Sequence, residues 1–311
     1  MAAQKTVRIG TRGSPLALAQ ANLFAALLVK ASPGAFETSI HPYTTTGDKI
    51  LDKPLQDAGG KGLFTKELDR AQETGEIDVA VHSLKDVTVK LEPHLVLAAY
   101  LMREDPHDCL IGPWSRIADL PAGTVVGTSS LRRKAQLLAV RPDLRAITFR
   151  GNVQTRLRKL AEGEAQATIL AAAGLRRLGM FDKAAGVIPV EDMLPAGGQG
   201  IIGVTLRKDA PDWLASAVAA TDILASRLAA VAERAFLRRL DGSCRTPIAA
   251  HFKLTATGAW MAGEVLSDEG DRRWRAEGSL ARKPDEGEAE AFGLSLAEEV
   301  AAKRDADLGQ A

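Results

Sequence analysis

Asp78-Val79-Ala80-Val81-His82-Ser83-Leu84-Lys85-Asp86-Val87 is the stretch whose reading decides the fold. Its first part, Asp78 to Val81, is apolar without alternation, the pattern of a strand covered on both faces. Such a strand belongs to a sheet with helices on either side. Its polar continuation, His82 to Asp86, is then expected at the carboxyl edge of that sheet. The flanking segments keep the same rhythm: strand-like runs at Val7 to Thr11 and Phe36 to Thr44, with helical patterns from Ser14 and from Gly62. This alternation predicts an α/β domain built on a parallel sheet.

A second alternating set follows, with strands at Val125 to Thr128, Ala146 to Phe149 and Thr168 to Ala171. Helical patterns run through Leu137, from Asn152 and through Leu178, so a second α/β domain is expected. Between Val187 and Val204 the chain passes Pro195 and Gly197-Gly198-Gln199-Gly200 into the apolar run Ile201 to Thr205, read as a crossing back into the first domain. Those glycines form either a hinge or ligand lining, or an ordinary loop. Beyond Asp209 come helical patterns to about Leu240, alternating runs at Ala249 to Leu254, Gly258 to Leu266 and Arg272 to Leu280, and a surface helix from Glu286 to Arg304. A chain of 311 residues accommodates two or three domains. The expected division is 1–101 with 201–219 as an α/β domain carrying Asp86, 102–200 as an arginine-rich α/β domain, and 220–311 as a small α+β domain carrying Cys244.

The composition, 46% hydrophobic and 25% charged, is that of a globular protein. A formal net charge of +1 lacks the cationic field that attracts nucleic acid or anionic membranes, so neither partner is expected. Met1 to Ser14 has no secretory pattern, and Leu16 to Val29, interrupted by Gln20 and Asn22, falls short of the ~20 residues a membrane span needs. A cytoplasmic location is expected. The two cysteines, Cys109 and Cys244, offer no CxxC or Cys/His spacing, which suits a reducing compartment and gives no reason to expect a metal.

One construction occurs three times: a strand, a tight turn, a capping residue and arginine beside it. It reads Gly10-Thr11-Arg12-Gly13-Ser14-Pro15, then Gly127-Thr128-Ser129-Ser130-Leu131-Arg132-Arg133, then Arg150-Gly151-Asn152-Val153-Gln154-Thr155-Arg156. Open backbone N–H groups and the helix dipole suit such ends to anions, and arginine adds bidentate bonds to carboxylates. From residue 130 to 180 eleven basic residues stand against three acidic ones, so the balance is local. Any single arginine here reads better as a solvated helix face; the set together favours a ligand with several negative groups in an interdomain crevice.

Lys85-Asp86 reads as either a surface ion pair or a catalytic unit, and His82 as a satisfied core or edge histidine. Cys109 looks like a core residue. Cys244, in Asp241-Gly242-Ser243-Cys244-Arg245-Thr246-Pro247, sits in a polar loop context next to arginine that favours the thiolate. It is either incidental or functional.

Taken together these motifs resemble the porphobilinogen deaminases, also called hydroxymethylbilane synthases. The resemblance runs from Gly10 to Leu18 through Gly60-Lys61-Gly62-Leu63-Phe64, Val81 to Asp86, Gly127 to Arg133 and Arg150 to Val153. It continues through Ala173-Gly174-Leu175 with Arg177, Leu194-Pro195-Ala196 with Gly198-Gln199-Gly200, and Cys244 before Pro247, covering nearly the whole chain. It implies two lobes resembling type II periplasmic binding proteins and a third domain with the cysteine. It implies a transferase that condenses four porphobilinogen molecules head to tail to hydroxymethylbilane, with release of ammonia, in tetrapyrrole (haem) biosynthesis. It also implies a dipyrromethane cofactor on a thioether at Cys244, a catalytic Asp86, and a monomer. Ser83, Lys85, Asp86, Thr128, Ser130, Arg132 and Arg133 would hold the cofactor. Arg12, Ser14, Arg150, Arg156, Arg177 and Phe64 would serve substrate rings, and Thr46 to Lys61 would form a mobile lid. Three positions depart from the family's pattern: Thr88 for proline, Ser243 for glycine, and Thr205 for glutamate.

Overall fold

The computed structural model describes residues 5–49, 62–240 and 246–309, which divide into two compact units. The first holds 5–49, 62–104 and 200–227; the second holds 105–199, 228–240 and 246–309. The first unit begins with β1 (Lys5–Arg12), α1 (Pro15–Ala31), β2 (Phe36–Tyr43), α2 (Thr46–Lys49), α3 (Lys66–Glu73), β3 (Val79–Ser83) and β4 (Leu95–Tyr100). The second supplies β5 (Asp108–Ile111), β6 (Val125–Gly127), α4 (Leu131–Val140), β7 (Arg145–Ile147), α5 (Val153–Ala161), β8 (Ala167–Ala171), α6 (Ala172–Arg177) and β9 (Gly186–Ile188). The chain returns to the first with β10 (Ile202–Arg207) and α7 (Asp212–Ala219). α8 (Leu224–Arg239), β11 (Ile248–Leu254), β12 (Ala259–Leu266), β13 (Arg273–Leu280) and α9 (Glu286–Leu308) follow.

Among the described residues the first sheet has the order β2-β1-β3-β10-β4 and the second β7-β6-β8-β5-β9. In each, three neighbouring strands run parallel and the fourth is reversed against both its neighbours. The reversed strand is in each case the one by which the chain arrives from the other unit. This shared plan is the pair of type II, periplasmic-binding-protein-like lobes the resemblance implies, followed by the small antiparallel sheet β11-β12-β13 with α9.

The sheets are thus mixed where a parallel sheet was read from the sequence. β5 and β9, of four and three residues, are too short to carry a periodic signal. The helix expected from Gly62 starts at Lys66, because Gly62 has φ +76° and opens a turn closed by Thr65 N–H to the Gly62 carbonyl. Among the described residues no single helix is long and apolar enough to cross a membrane.

β3 lies inside its sheet, with Val79 and Val81 in the cluster formed by Ala21, Phe24 and Leu28 of α1. Ala80 packs instead with Leu68 and Ala71 of α3 and with Ile77. Both faces are therefore covered, and the unbroken apolar run follows from that.

His82 continues the strand and is buried, 5% exposed. Its Nε2 lies 3.2 Å from Thr205 Oγ1, and Thr205 Oγ1 donates to Gln72 Oε1 at 2.7 Å. The Gln72 amide donates back to the Thr205 carbonyl at 2.9 Å. A hydroxyl has one proton; with it committed to Gln72, the imidazole must be the donor at Nε2. Burial, and then the charge of Arg12, push the His82 pKa down to about 4 from an ordinary 6.5, so the ring is neutral at pH 7.

The unfolded chain binds a proton at His82 below pH 6.5 and the folded chain only near pH 4. Stability is therefore expected to fall by about 3 kcal/mol as pH drops through that window, since one pKa unit corresponds to about 1.4 kcal/mol. Urea midpoints of wild type and His82→Gln between pH 7.5 and 4.5 should show a steeper acid loss in the wild type. Parallel curves would rule out this source of acid sensitivity.

Candidate active site

Three helix openings carry the sequence-predicted residues, and each is capped as its sequence dictates. Ser14 Oγ accepts the Ala17 N–H at 3.3 Å, Ser130 Oγ the Arg133 N–H at 3.4 Å, and Asn152 Oδ1 the Thr155 N–H at 2.9 Å. At the first opening Arg12 ends β1, directly before Gly13 and the cap. Its guanidinium takes Asp48 on its Nε/Nη2 edge and lies 3.5 Å from Asp86 through Nη1. The Phe64 ring covers one guanidinium face at 4.1 Å. Asp86 closes the 3-10 turn Leu84–Asp86 that follows β3, with Lys85 before it. Ser83 is held by the Gln20 amide, whose Nε2 is 2.9 Å and Oε1 3.1 Å from its hydroxyl. The structure brings together Arg12, Phe64 and Asp86, adding Asp48, which sequence reasoning passed over. Position 48 lies outside the quoted family motifs, and nothing local signals its partner.

In the second unit the paired arginines behave differently from an open anion site. Asp108, the first residue of β5, is fully buried, and Arg132 and Arg133 are each 6% exposed. Arg132 Nη2 donates to Asp108 Oδ2 at 2.7 Å; Arg133 donates to Oδ1 through Nη2 at 2.6 Å and Nε at 3.2 Å. Gln199, from the Gly-Gln-Gly run, adds 2.9 Å to the same Oδ1 and reaches the Pro106 carbonyl at 2.7 Å. The remaining ends reach the backbone: Arg132 Nη1 to the Leu194 carbonyl at 2.6 Å and Arg133 Nη1 to the Ile169 carbonyl at 3.0 Å. Burial lowers the Arg132 pKa, with the Asp108 charge opposing. Gln199 is therefore part of a buried polar network rather than a bare loop.

Thr128 Oγ1 accepts the Ser130 N–H at 3.2 Å, and Ser129 Oγ accepts the Phe149 N–H at 2.9 Å. Gly127 is required by that ring, since a Cβ there would stand 2.5 Å from Phe149 Cγ. At the third opening Gly151 has φ +119°, Arg150 is buried, and Arg156 Nε donates to the Gly151 carbonyl at 2.9 Å. Arg177 ends α6. Cys109 is fully buried, and burial followed by the charges of Asp105 and Asp108 pushes its thiol up to about 12, so it is an inert core residue. Cys244 and Ser243, with most of the stretch from Thr46 to Lys61, lie outside the described residues.

Two buried guanidiniums on one buried carboxylate make Asp108 a group whose loss leaves two interior positive charges uncompensated. Asp108→Asn keeps the shape and is expected to destabilise the protein by about 3–5 kcal/mol. A urea midpoint equal to that of the wild type would exclude that role for the pairing.

The family and relative comparisons agree over nearly the whole chain. Residues 7–215 match the family model described as "Porphobilinogen deaminase, dipyromethane cofactor binding domain", and residues 227–302 match "Porphobilinogen deaminase, C-terminal domain". The porphobilinogen deaminase of Paracoccus denitrificans is 48% identical over 98% of this chain and 96% of its own length. The chloroplastic porphobilinogen deaminase of Pisum sativum is 50% identical over 86% of this chain and 73% of its own length, and the porphobilinogen deaminase of Geotalea uraniireducens is 45% identical over 96% and 92%. Among solved structures, the methionine binding protein MetQ has a TM-score of 0.43 at 10% identity, over 69% of this chain and 89% of that one. The chain belongs to the porphobilinogen deaminase family, transferases that convert porphobilinogen to hydroxymethylbilane in tetrapyrrole synthesis.

Proposed function

We propose that Asp86 is the catalytic carboxylate of this porphobilinogen deaminase and that its dipyrromethane cofactor is joined by a thioether to Cys244. The observation that carries the reading is Asp86 beyond the carboxyl end of β3, 3.5 Å from the Arg12 guanidinium. Loss of ammonia from porphobilinogen leaves an electron-poor azafulvene with positive charge shared onto the pyrrole nitrogen. A fixed carboxylate stabilises such a cation and takes part in the later ring deprotonation.

The donor chemistry fits a group bearing several carboxylates. Hydroxyls cap two of the helix openings, and two guanidiniums on the single Asp108 carboxylate leave positive charge in excess. In this reading Ser83, Lys85, Asp86, Thr128, Ser130, Arg132 and Arg133 hold the cofactor. Arg12, Ser14, Arg150, Arg156 and Arg177 take carboxylates of substrate rings, and Phe64 packs near the pyrroles. When bound, dipyrromethane supplies the pyrrole carbon to which the first ring is joined.

The domain division 1–101 with 201–219, 102–200 and 220–311 is part of the proposal. A separate family model for 227–302, and the separate sheet of β11, β12 and β13, support setting the last part apart. A cytoplasmic monomer, with porphobilinogen as its partner and neither nucleic acid nor membrane, completes it.

Intact mass spectrometry of wild type and Cys244→Ser tests the attachment, with Asp86→Asn assayed alongside. The wild type should carry a dipyrromethane adduct that the serine variant lacks. Asp86→Asn should fold and lose about 10²–10⁴-fold in turnover. An unmodified wild-type chain that is active overturns the attachment, and near-normal product formation by Asp86→Asn overturns the role of Asp86.

A further inference from the structure

The Arg12 guanidinium is shared unequally between two carboxylates. Asp48 takes its bidentate edge through Nε and Nη2, while Asp86 meets only Nη1, at 3.5 Å. Asp48 is itself anchored: its Oδ2 accepts the Thr45 N–H at 3.1 Å and the Thr45 hydroxyl at 2.7 Å, and Thr45 is fully buried. Burial alone would raise the Asp48 pKa; the hydrogen bonds from Arg12 and Thr45 and the Arg12 charge outweigh it and hold the carboxyl below its ordinary value. The base of the cluster is fixed as well. Gly47 N–H donates to the Leu63 carbonyl at 2.8 Å, and a Cβ at Gly47 would stand 2.3 Å from the Phe64 ring. With the ring on one face and a carboxylate on one edge, the guanidinium cannot turn.

Bidentate pairing is the strongest arrangement open to arginine, and it cancels the charge of the carboxylate it engages. A fork-to-fork pair of Arg12 with Asp86 would neutralise the group that faces the cation. With the fork given to Asp48, two carboxylates stand against one guanidinium, and the cluster keeps a negative charge beside Asp86.

We propose that Asp48 is a positioning residue for the reaction: by holding the bidentate edge of Arg12 it keeps Asp86 from being neutralised. The proposal rests on the reading of Asp86 as the catalytic carboxylate. It assigns no contact between Asp48 and substrate.

The test is steady-state kinetics of cofactor-loaded Asp48→Asn and Asp48→Glu, with Asp86→Asn in parallel and a crystal structure of Asp48→Asn. Asparagine keeps the size of the side chain and can still accept from Thr45, so folding is expected to survive. The expected result is a kcat lower by roughly 10- to 100-fold in Asp48→Asn, with KM within about threefold of wild type. Asp48→Glu should restore most of the loss, and the Asp48→Asn structure should have Arg12 turned bidentate onto Asp86. A prop for the local fold would instead raise KM together with the fall in kcat, and glutamate would not rescue; that outcome overturns the proposal. So does an Arg12 still directed away from Asp86 in the Asp48→Asn structure. If Asp86→Asn is inactive while Asp48→Asn keeps wild-type kcat, only the Asp48 proposal falls. If Asp86→Asn itself turns over normally, the reading of Asp86 falls first.

Discussion

A strand with no solvent-facing side has nowhere to put a charged residue except beyond its end, and β3 is built under that constraint. Val79 and Val81 pack on α1 while Ala80 packs against α3, so the first charged groups after Asp78 are Lys85 and Asp86. The sheet on either side, parallel β1 and antiparallel β10, fixes where that end lies. β1 ends alongside it at Arg12, and this is why a cation comes to stand beside Asp86 with no loop of its own to carry it there. Rigidity at Asp86 is in this sense a by-product of core packing.

Charge, half-buried in the first unit and buried in the second, is handled by the same economy in both: no described arginine at the first two openings stands without a carboxylate. Arg12 answers to Asp48 and Asp86, and Arg132 and Arg133 answer to Asp108. Interior ion pairs such as those of Asp108 are costly to desolvate and are weak evidence for stability as such. What they do achieve is orientation, because a guanidinium bonded on two edges has one direction left in which to point.

Much of this was legible in the amino-acid sequence, for reasons specific to each element. The unbroken run at Val79, the Ser14-Pro15 start of α1 and the caps at Ser130 and Asn152 are local signals, each decided within a few residues, and the structure has all of them. The reversed strands were harder. β5 and β9 are short, and pairing direction is a property of partners distant in sequence. Asp48 and Asp108 escaped for the same reason, since each is defined by an arginine 36 or 24 residues away. Thr205 departs from the family's pattern, yet it fills a defined place, closing the chain of bonds from His82 to Gln72.

The seclusion of Cys109 has a practical corollary for labelling work. Its sulfur is sealed in the core of the second unit, and its proton is held far above neutral pH. Maleimides and iodoacetamide, which attack thiolates, should pass it by for as long as that core stays closed. With Cys244 occupied as a thioether in the proposed holoenzyme, alkylation of the native chain should be silent, and the appearance of a modified Cys109 would time the opening of the core around β5.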